Sequence, residues 1–162
     1  MTFRIRAYHK SDFDTLWRID QTCFDTQLAY SRFELAVYMR RPASFTLVAD
    51  AGPLKPDNGS ASAQILGFIV AEYRRKTGHI ITIDVVHQAR RGGIGSALLR
   101  AAEEHLHKIG AQTVELETPV SNEAAIRFYK GAGYFVEKTV SGYYSGQLDA
   151  LVMCKELVET SV

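Results

Sequence analysis

The residues with the clearest chemical capacity are Arg90-Arg91-Gly92-Gly93-Ile94-Gly95-Ser96. An apolar, alternating segment ends before them at Val85-Val86, and Ala97-Leu98-Leu99 follows them in helical texture. A strand that passes through a basic glycine-rich turn straight into a helix makes an anion cradle. The first helical amides have no partner within the helix, the helix dipole is positive there, and glycine lets backbone come close to a ligand. Arg90 and Arg91 add charge suited to phosphate oxygens. A P-loop would need Gly-Lys-Ser/Thr, and Gly95-Ser96 lacks the lysine. A dinucleotide turn would need G-x-G-x-x-G. Gly93 and Gly95 fit it, but Leu98 takes the third place. Glu115 does stand about 20 residues downstream, where a ribose ligand could be. That turn follows the first strand of its fold, however, and three or four strands precede this one. The plain alternative is a tight turn with a solvated basic patch.

Arg90, Gly93 and Gly95 also satisfy R-x-x-G-x-G, and one helix and one strand later comes a second motif. It runs Ser121-Asn122, Ala125, Phe128-Tyr129, then Gly133-Tyr134. The pair resembles the GNAT superfamily of N-acetyltransferases, in which the first pattern is the pyrophosphate signature and S-N-x-x-A-x-x-F-Y the second half. Gly133-Tyr134 replaces the commoner Gly-Phe. The resemblance spans the chain except for an insertion at about 50–63. Within the superfamily it is nearest to protein N-terminal acetyltransferases of the ribosomal-protein alanine type. The supporting features are Ile19-Asp20-Gln21-Thr22-Cys23-Phe24, Tyr30-Ser31, Leu116-Glu117 and the run from Tyr143-Tyr144 to Asp149-Ala150. The insertion departs from that pattern, as does Asp84, where a small residue is usual. Both bear on the substrate more than on the chemistry.

The resemblance implies an acetyl-CoA-dependent transferase, an acyltransferase that uses no metal. Acetyl transfer to an amine requires a neutral amine, a thioester within attack distance, an oxyanion donor and a proton for the departing thiolate. An α-amine of pKa about 8 is neutral to roughly a tenth at pH 7, a lysine far less. A protein or peptide N-terminus therefore asks less of the base. The resemblance places the base at Glu117. His79, at the start of an earlier strand, is the other candidate because of its titration range. The resemblance puts the thiolate acid at Tyr129. It assigns the cofactor to Ile83, Asp84 and Val85 on the strand, to Arg90, Arg91, Gly92, Gly93, Ile94, Gly95 and Ser96 in the turn, and to Asn122. The Val85 amide is the candidate oxyanion donor. Tyr30, Tyr143 and Tyr144 are expected to wall the acceptor entry. Transfer to a small amine, or a CoA-binding sensor without catalysis, are the alternative functions.

These residues need a scaffold. Phe3–Ala7 reads as a strand, and Ser11 could cap a helix reaching about Phe24. Ser31 with Glu34 forms a capping box for a second helix ending before Pro42. Strands follow at Phe45–Ala49, Gln64–Arg74 and His79–Val86, the last two joined around Thr77-Gly78. Asp50–Ser62, with two of the four prolines, reads as a mobile loop. Gly95–Ile109 is an amphipathic helix with Ile94, Leu98, Leu99, Ala102, Leu106 and Ile109 on one face. A strand at Val114–Glu117, a helix capped by Ser121 or Asn122, and a hairpin of Tyr134–Val140 with Leu148–Lys155 complete the chain. The expected fold is α/β, with a mixed central sheet in the order β-α-α-β-β-β-α-β-α-β-β and helices on both faces. This order resembles the GNAT fold, and residues 1–162 are expected to form it as a single domain.

Composition agrees. The 162 residues are 46% apolar and 23% charged, which excludes a disordered chain or a disulfide scaffold. A net charge of +1 argues against a nucleic-acid binder. No apolar run reaches the roughly 20 residues of a membrane span. Cys23 and Cys154 read as reduced thiols of a cytoplasmic protein, without the spacing of a zinc site. His105 and His107 lie about 200° apart on their helix and cannot share a metal. The expected partners are acetyl-CoA and a protein or peptide N-terminus, with no nucleic acid and no membrane, and the chain is expected to be a monomer or weak dimer.

Overall fold

The computed structural model describes residues 2–24, 28–53 and 63–157. Its elements are β1 (Arg4–Ala7), α1 (Phe13–Cys23), α2 (Arg32–Arg40), β2 (Ser44–Pro53), β3 (Ala63–Arg74), β4 (Thr77–Val85), α3 (Ile94–Lys108), β5 (Thr113–Pro119), α4 (Glu123–Gly131), β6 (Phe135–Tyr144) and β7 (Leu148–Glu156). The seven strands form one mixed sheet, as the alternation of helical and strand patterns implied, and their order in it is β1-β2-β3-β4-β5-β7-β6.

Several boundaries differ from expectation. A 3-10 turn at Lys10–Asp12 precedes α1, so Ser11 lies inside that turn and does not cap the helix. The Asp12 carboxylate instead accepts from the His9 amide at 2.9 Å and from the Arg6 guanidinium at 2.8 and 3.0 Å. Arg6 also reaches Asp50 at 2.8 Å, fastening β1, the turn and β2 together. Asp50–Pro53 continues β2 rather than opening a loop; the rest of that predicted loop, 54–62, lies outside the described residues. The β3–β4 turn is Arg75-Lys76, both at positive φ, as a two-residue hairpin requires. Thr77-Gly78 therefore belongs to β4. Likewise β6 runs on through Tyr143-Tyr144, and the turn falls at Ser145 and Gly146.

Two cores cover the two faces of the sheet. Leu16, Ile19 and Leu35 of α1 and α2 pack on Val48, Ile65, Phe68 and Val70. Leu98, Leu99, Ala102 and Leu106 of α3 pack on the other face, against Leu66, Ile69, Ala71 and Ile80. Strand alternation would hold each residue to one face, and two bulges shift it. In β3 the pairing steps from Ala49↔Gly67 to Asp50↔Ile65, leaving Leu66 as the extra residue. In β4 it steps from Ala71↔Ile80 to Val70↔Thr82, leaving Ile81 extra. Beyond that bulge Asp84 lies opposite Phe68, on the α1 side of the sheet.

The sheet is weakest where the site lies. β4 and β5 pair in parallel only at Thr77↔Thr113, Gly78↔Val114 and His79↔Glu115. Past these residues no β4–β5 pairing follows, and a wedge opens between Ile80–Val85 and Leu116–Pro119. At the vertex Gly78 admits Leu106 of α3. A Cβ there would lie 2.5 Å from Leu106 Cδ1, so a side chain would push α3 off the sheet.

Candidate active site

The wedge is an open cleft of about 1270 Å³. At one end is the basic turn. A 3-10 turn, His87–Ala89, leads through Arg90 and Arg91 to Gly93, which starts α3 with φ of +82°. No side chain caps α3, so the amides of its first turn are not claimed by a capping oxygen. Arg91 also takes a positive φ, +65°, a conformation that bends the backbone into a concave nest. The expected cofactor residues Ile83, Asp84, Val85, Arg90, Arg91, Gly93, Ile94, Gly95, Ser96, Asn122 and Tyr129 all line the cleft, while Gly92 does not. An uncapped helix start beside two arginines fits a diphosphate, and the unpaired edge of β4 fits an extended amide-bearing arm.

The backbone partly restricts that fit. The Val85 carbonyl already accepts from Arg90 Nε at 3.3 Å and Cys23 Sγ at 3.4 Å, so it is not free for a ligand. The Val86 amide bonds Leu66 of β3 at 2.9 Å. By alternation the Val85 amide points to the opposite edge, into the cleft. Asn122 caps α4, accepting from the Ala125 amide at 3.2 Å.

At the other end lies Glu117. Its Oε2 is 2.6 Å from His79 Nε2, so the two candidate bases form one hydrogen-bonded pair rather than two alternatives. His79 lies across from Glu72 in the hairpin and beside Glu115 in β5. Glu72 Oε1 stands 3.8 Å from His79 Nδ1, and Arg41 holds both Glu72 oxygens at 3.2 and 3.3 Å. Burial alone would lower the His79 pKa. The Glu117 hydrogen bond and the charges of Glu117, Glu115 and Glu72 outweigh it and raise the pKa above the ordinary imidazole value.

Aromatic rings surround this pair. Tyr30 and Tyr144 line the cleft, whereas Tyr143 is about half exposed and packs edge-on against Tyr144 at 4.9 Å. Tyr38 joins them, edge-on to Tyr30 at 5.2 Å. The Tyr30 hydroxyl donates to the Ile81 carbonyl, the bulge residue, at 3.5 Å. Tyr129 lies between the two ends, 8% exposed and edge-on to Phe128 and Tyr134. Burial above all raises its hydroxyl well above the usual tyrosine range, so it is held protonated.

Cys23 was read only as a reduced thiol and part of a family feature, and Arg41, Glu72 and Tyr38 went unnoticed in the sequence. Glu72 was within reach of it. Placing the hairpin turn at Arg75-Lys76 and counting back pairs 74 with 77, 73 with 78 and 72 with 79. The sequence also gave no sign that Glu115, Glu137 and Cys154 meet on the outer strands. There Cys154 donates to Glu137 at 3.0 Å, and burial with that carboxylate pushes its thiol up to about 12. Among the described residues no helix is long and apolar enough to cross a membrane.

An uncapped basic helix start, a wedge between two parallel strands and a carboxylate with a tyrosine across the gap together describe a site for acyl transfer from a diphosphate-bearing carrier. Residues 12–134 match the Acetyltransferase (GNAT) family, and the chain belongs to it. It is an N-acetyltransferase. It is 31% identical over 161 residues, 96% of this chain and 93% of the relative, to an N-alpha-acetyltransferase of Sulfurisphaera tokodaii. The Ard1 structure from Thermoplasma volcanium superposes with a TM-score of 0.83 at 25% identity, covering 98% of this chain and 100% of that one. The ribosomal-protein-S18-alanine N-acetyltransferase from Escherichia coli shares the fold, with a TM-score of 0.79 at 22% identity over 99% of both chains.

Proposed function

We propose that the protein transfers the acetyl group of acetyl-CoA to the N-terminal α-amine of a protein or peptide, within one N-acetyltransferase domain. The observation that carries this reading is the acceptor end of the cleft. A carboxylate backed by a histidine sits inside a collar of tyrosines, reached from the side opposite the basic turn. A carboxylate suffices for an α-amine, which is about a tenth neutral at pH 7, and would serve a lysine poorly. The near full-length likeness to an N-alpha-acetyltransferase supports the same acceptor.

Acetyl-CoA supplies the acetyl group as an activated thioester. Arg90, Arg91 and the amides opening α3 hold its diphosphate, and the unpaired edge of β4 with Asn122 aligns its arm. The Val85 amide is the hydrogen-bond donor aimed into the cleft where the carbonyl oxygen gains charge. Glu117 takes the proton from the amine, directly or through one water, while His79 fixes the carboxylate and shares its charge. Tyr129 gives its phenolic proton to the leaving sulfur. Tyr30, Tyr143 and Tyr144 wall the first acceptor residues. Thiol release from acetyl-CoA, measured across peptides of differing first residue with a blocked-terminus lysine peptide and small amines as controls, tests the assignment. Release with free N-termini supports it. Release with small amines or the lysine peptide alone overturns it, as does binding of acetyl-CoA without any release.

A further inference from the structure

Asp84 is 1% exposed, and its Oδ1 accepts from the Thr82 hydroxyl at 2.9 Å, but its Oδ2 has no donor among the described residues. Asp20 of α1 is fully buried and in the same position. Its Oδ2 accepts from the Tyr30 amide at 2.8 Å, and its Oδ1 has no donor. The Ile81 bulge turns Asp84 toward α1, so that its carboxyl and that of Asp20 act on each other, each with one buried oxygen left without a donor. Two carboxylates can only accept, so a hydrogen bond between them needs a proton. Two bare charges buried together would carry both desolvation and repulsion.

We infer that Asp84 and Asp20 share one proton, Asp84 Oδ2 donating to Asp20 Oδ1, and that this pair is a positioning device that ties Tyr30 at the acceptor entrance to the cofactor strand β4. The position of Tyr30 at an acceptor entrance rests on the function proposed above; the shared proton does not.

The surrounding groups favour one proton. Cys23 of α1 and Tyr129 of α4 are held neutral by burial, so neither brings a charge to the pair. Thr82 donates to Asp84, Tyr30 lies beside Asp20, and Arg90 is the cation acting on Asp84. Burial, then the charge and hydrogen bond of Asp20, holds Asp84 far above the carboxylate range. Burial also raises Asp20, opposed by the bonds from Asp84 and the Tyr30 amide. The proton therefore sits on Asp84 and the charge on Asp20, where a backbone amide meets it. With the pair intact, the chain before α2 is anchored to the strand lining the cleft. Loss of the proton would set two like charges against each other at that anchor.

Melting temperature as a function of pH, on the wild type and Asp84→Asn, tests the shared proton in the folded protein without any acceptor. An amide at 84 donates to Asp20 at every pH. The wild type must hold a proton that its unfolded chain releases at about pH 3.9. The expected result is that Asp84→Asn gains on the wild type steadily as pH rises above that value. A difference independent of pH overturns the pair, as do carboxyl carbon-13 resonances of both residues titrating in the ordinary range. For the positioning role, Asp20→Ala is expected to raise the acceptor KM about tenfold, the scale of one lost charged hydrogen bond, leaving kcat and the acetyl-CoA KM little changed. Asp20→Asn, which can still bond both neighbours, should restore it. Equal rises in both KM values overturn the positioning role. Should Asp20→Ala not fold, Asp20→Ser takes its place: a rise in the acceptor KM alone supports the positioning role, and an unchanged acceptor KM or equal rises in both KM values overturn it. If no peptide is acetylated at all, the proposed function fails while the melting and carbon-13 results still judge the pair.

Discussion

His79 and Glu117 share a hydrogen bond of 2.6 Å across the point where β4 and β5 part company. Glu117 is thereby fixed at the mouth of the wedge, with one edge on the imidazole and the cleft before it. Replacing it by glutamine keeps the shape and a hydrogen bond but removes the proton acceptor. Glu117→Gln should lower kcat by about a hundredfold or more, the usual range for a general base, with the dissociation constant for acetyl-CoA nearly unchanged. Stopped-flow turnover with a peptide acceptor, beside calorimetry with acetyl-CoA, checks both parts.

The same pair has a stability consequence with a definite sign. The folded His79 pKa is raised above its unfolded value of about 6.5. The folded protein then binds the proton more tightly than the unfolded chain. Stability from this source is complete below about pH 6.5 and disappears as pH rises through the folded pKa. His79→Gln removes the titration. Chemical denaturation should find the wild type losing its advantage over His79→Gln on going from acid to alkaline buffer. A constant gap would assign His79 no charged state in the fold.

Arg91 allows cofactor binding to be separated from folding. Its φ of +65° costs a non-glycine residue about 1–2 kcal/mol. Arg91→Gly relieves that conformation while deleting a charge from the cradle. The acetyl-CoA KM should rise about tenfold, and more steeply at low salt, while the melting temperature stays level or increases. A fall in both would mean that Arg91 holds the turn by contacts of its side chain.

Tyr129 is buried, and burial holds its hydroxyl neutral. Tyr129→Phe keeps the ring contacts with Phe128 and Tyr134 and removes only the proton source. Turnover should fall by about tenfold to a hundredfold, with acetyl-CoA affinity retained. A carrier whose thiol is more acidic than that of coenzyme A should recover part of the loss, because its thiolate needs less help to leave.

The element order was legible because each element carries its own local signal. The amphipathic face of α3 and the capping box of Ser31 with Glu34 are written within a few residues. The turn between β3 and β4 was misread because glycine at 78 looked like turn chemistry. Its actual reason is room for Leu106, a contact from 28 residues away in the chain. Most of the motif residues line one cleft. The Arg41–Glu72–His79 chain was missed with the turn that sets its register, and the Asp20–Asp84 pair was invisible because the bulge at Ile81 resets the register beyond it. A single unpaired residue such as Ile81 has no local signature, yet it decides which core Asp84 faces.

Gly78 lies in the short stretch that joins β4 to β5, and this makes the vertex of the wedge a test of how packing supports the site. A methyl group there would sit 2.5 Å from Leu106 Cδ1 and 3.1 Å from Leu106 Cγ, too close for the tip of the leucine alone to yield. Gly78→Ala should cost about 1–3 kcal/mol, as overpacking does, and Leu106→Ala about 2–5 kcal/mol, as a buried cavity does. The two defects are complementary: the added methyl fills part of the space that the shortened leucine vacates. The double variant should therefore be less destabilised than the sum of the singles, by more than the roughly 0.5 kcal/mol scatter of additive pairs. Urea unfolding of the four proteins measures that coupling. Strict additivity would mean that α3 shifts as a body to admit the methyl group, and acetyl-CoA affinity should then fall in Gly78→Ala, because the start of the same helix forms the anion cradle.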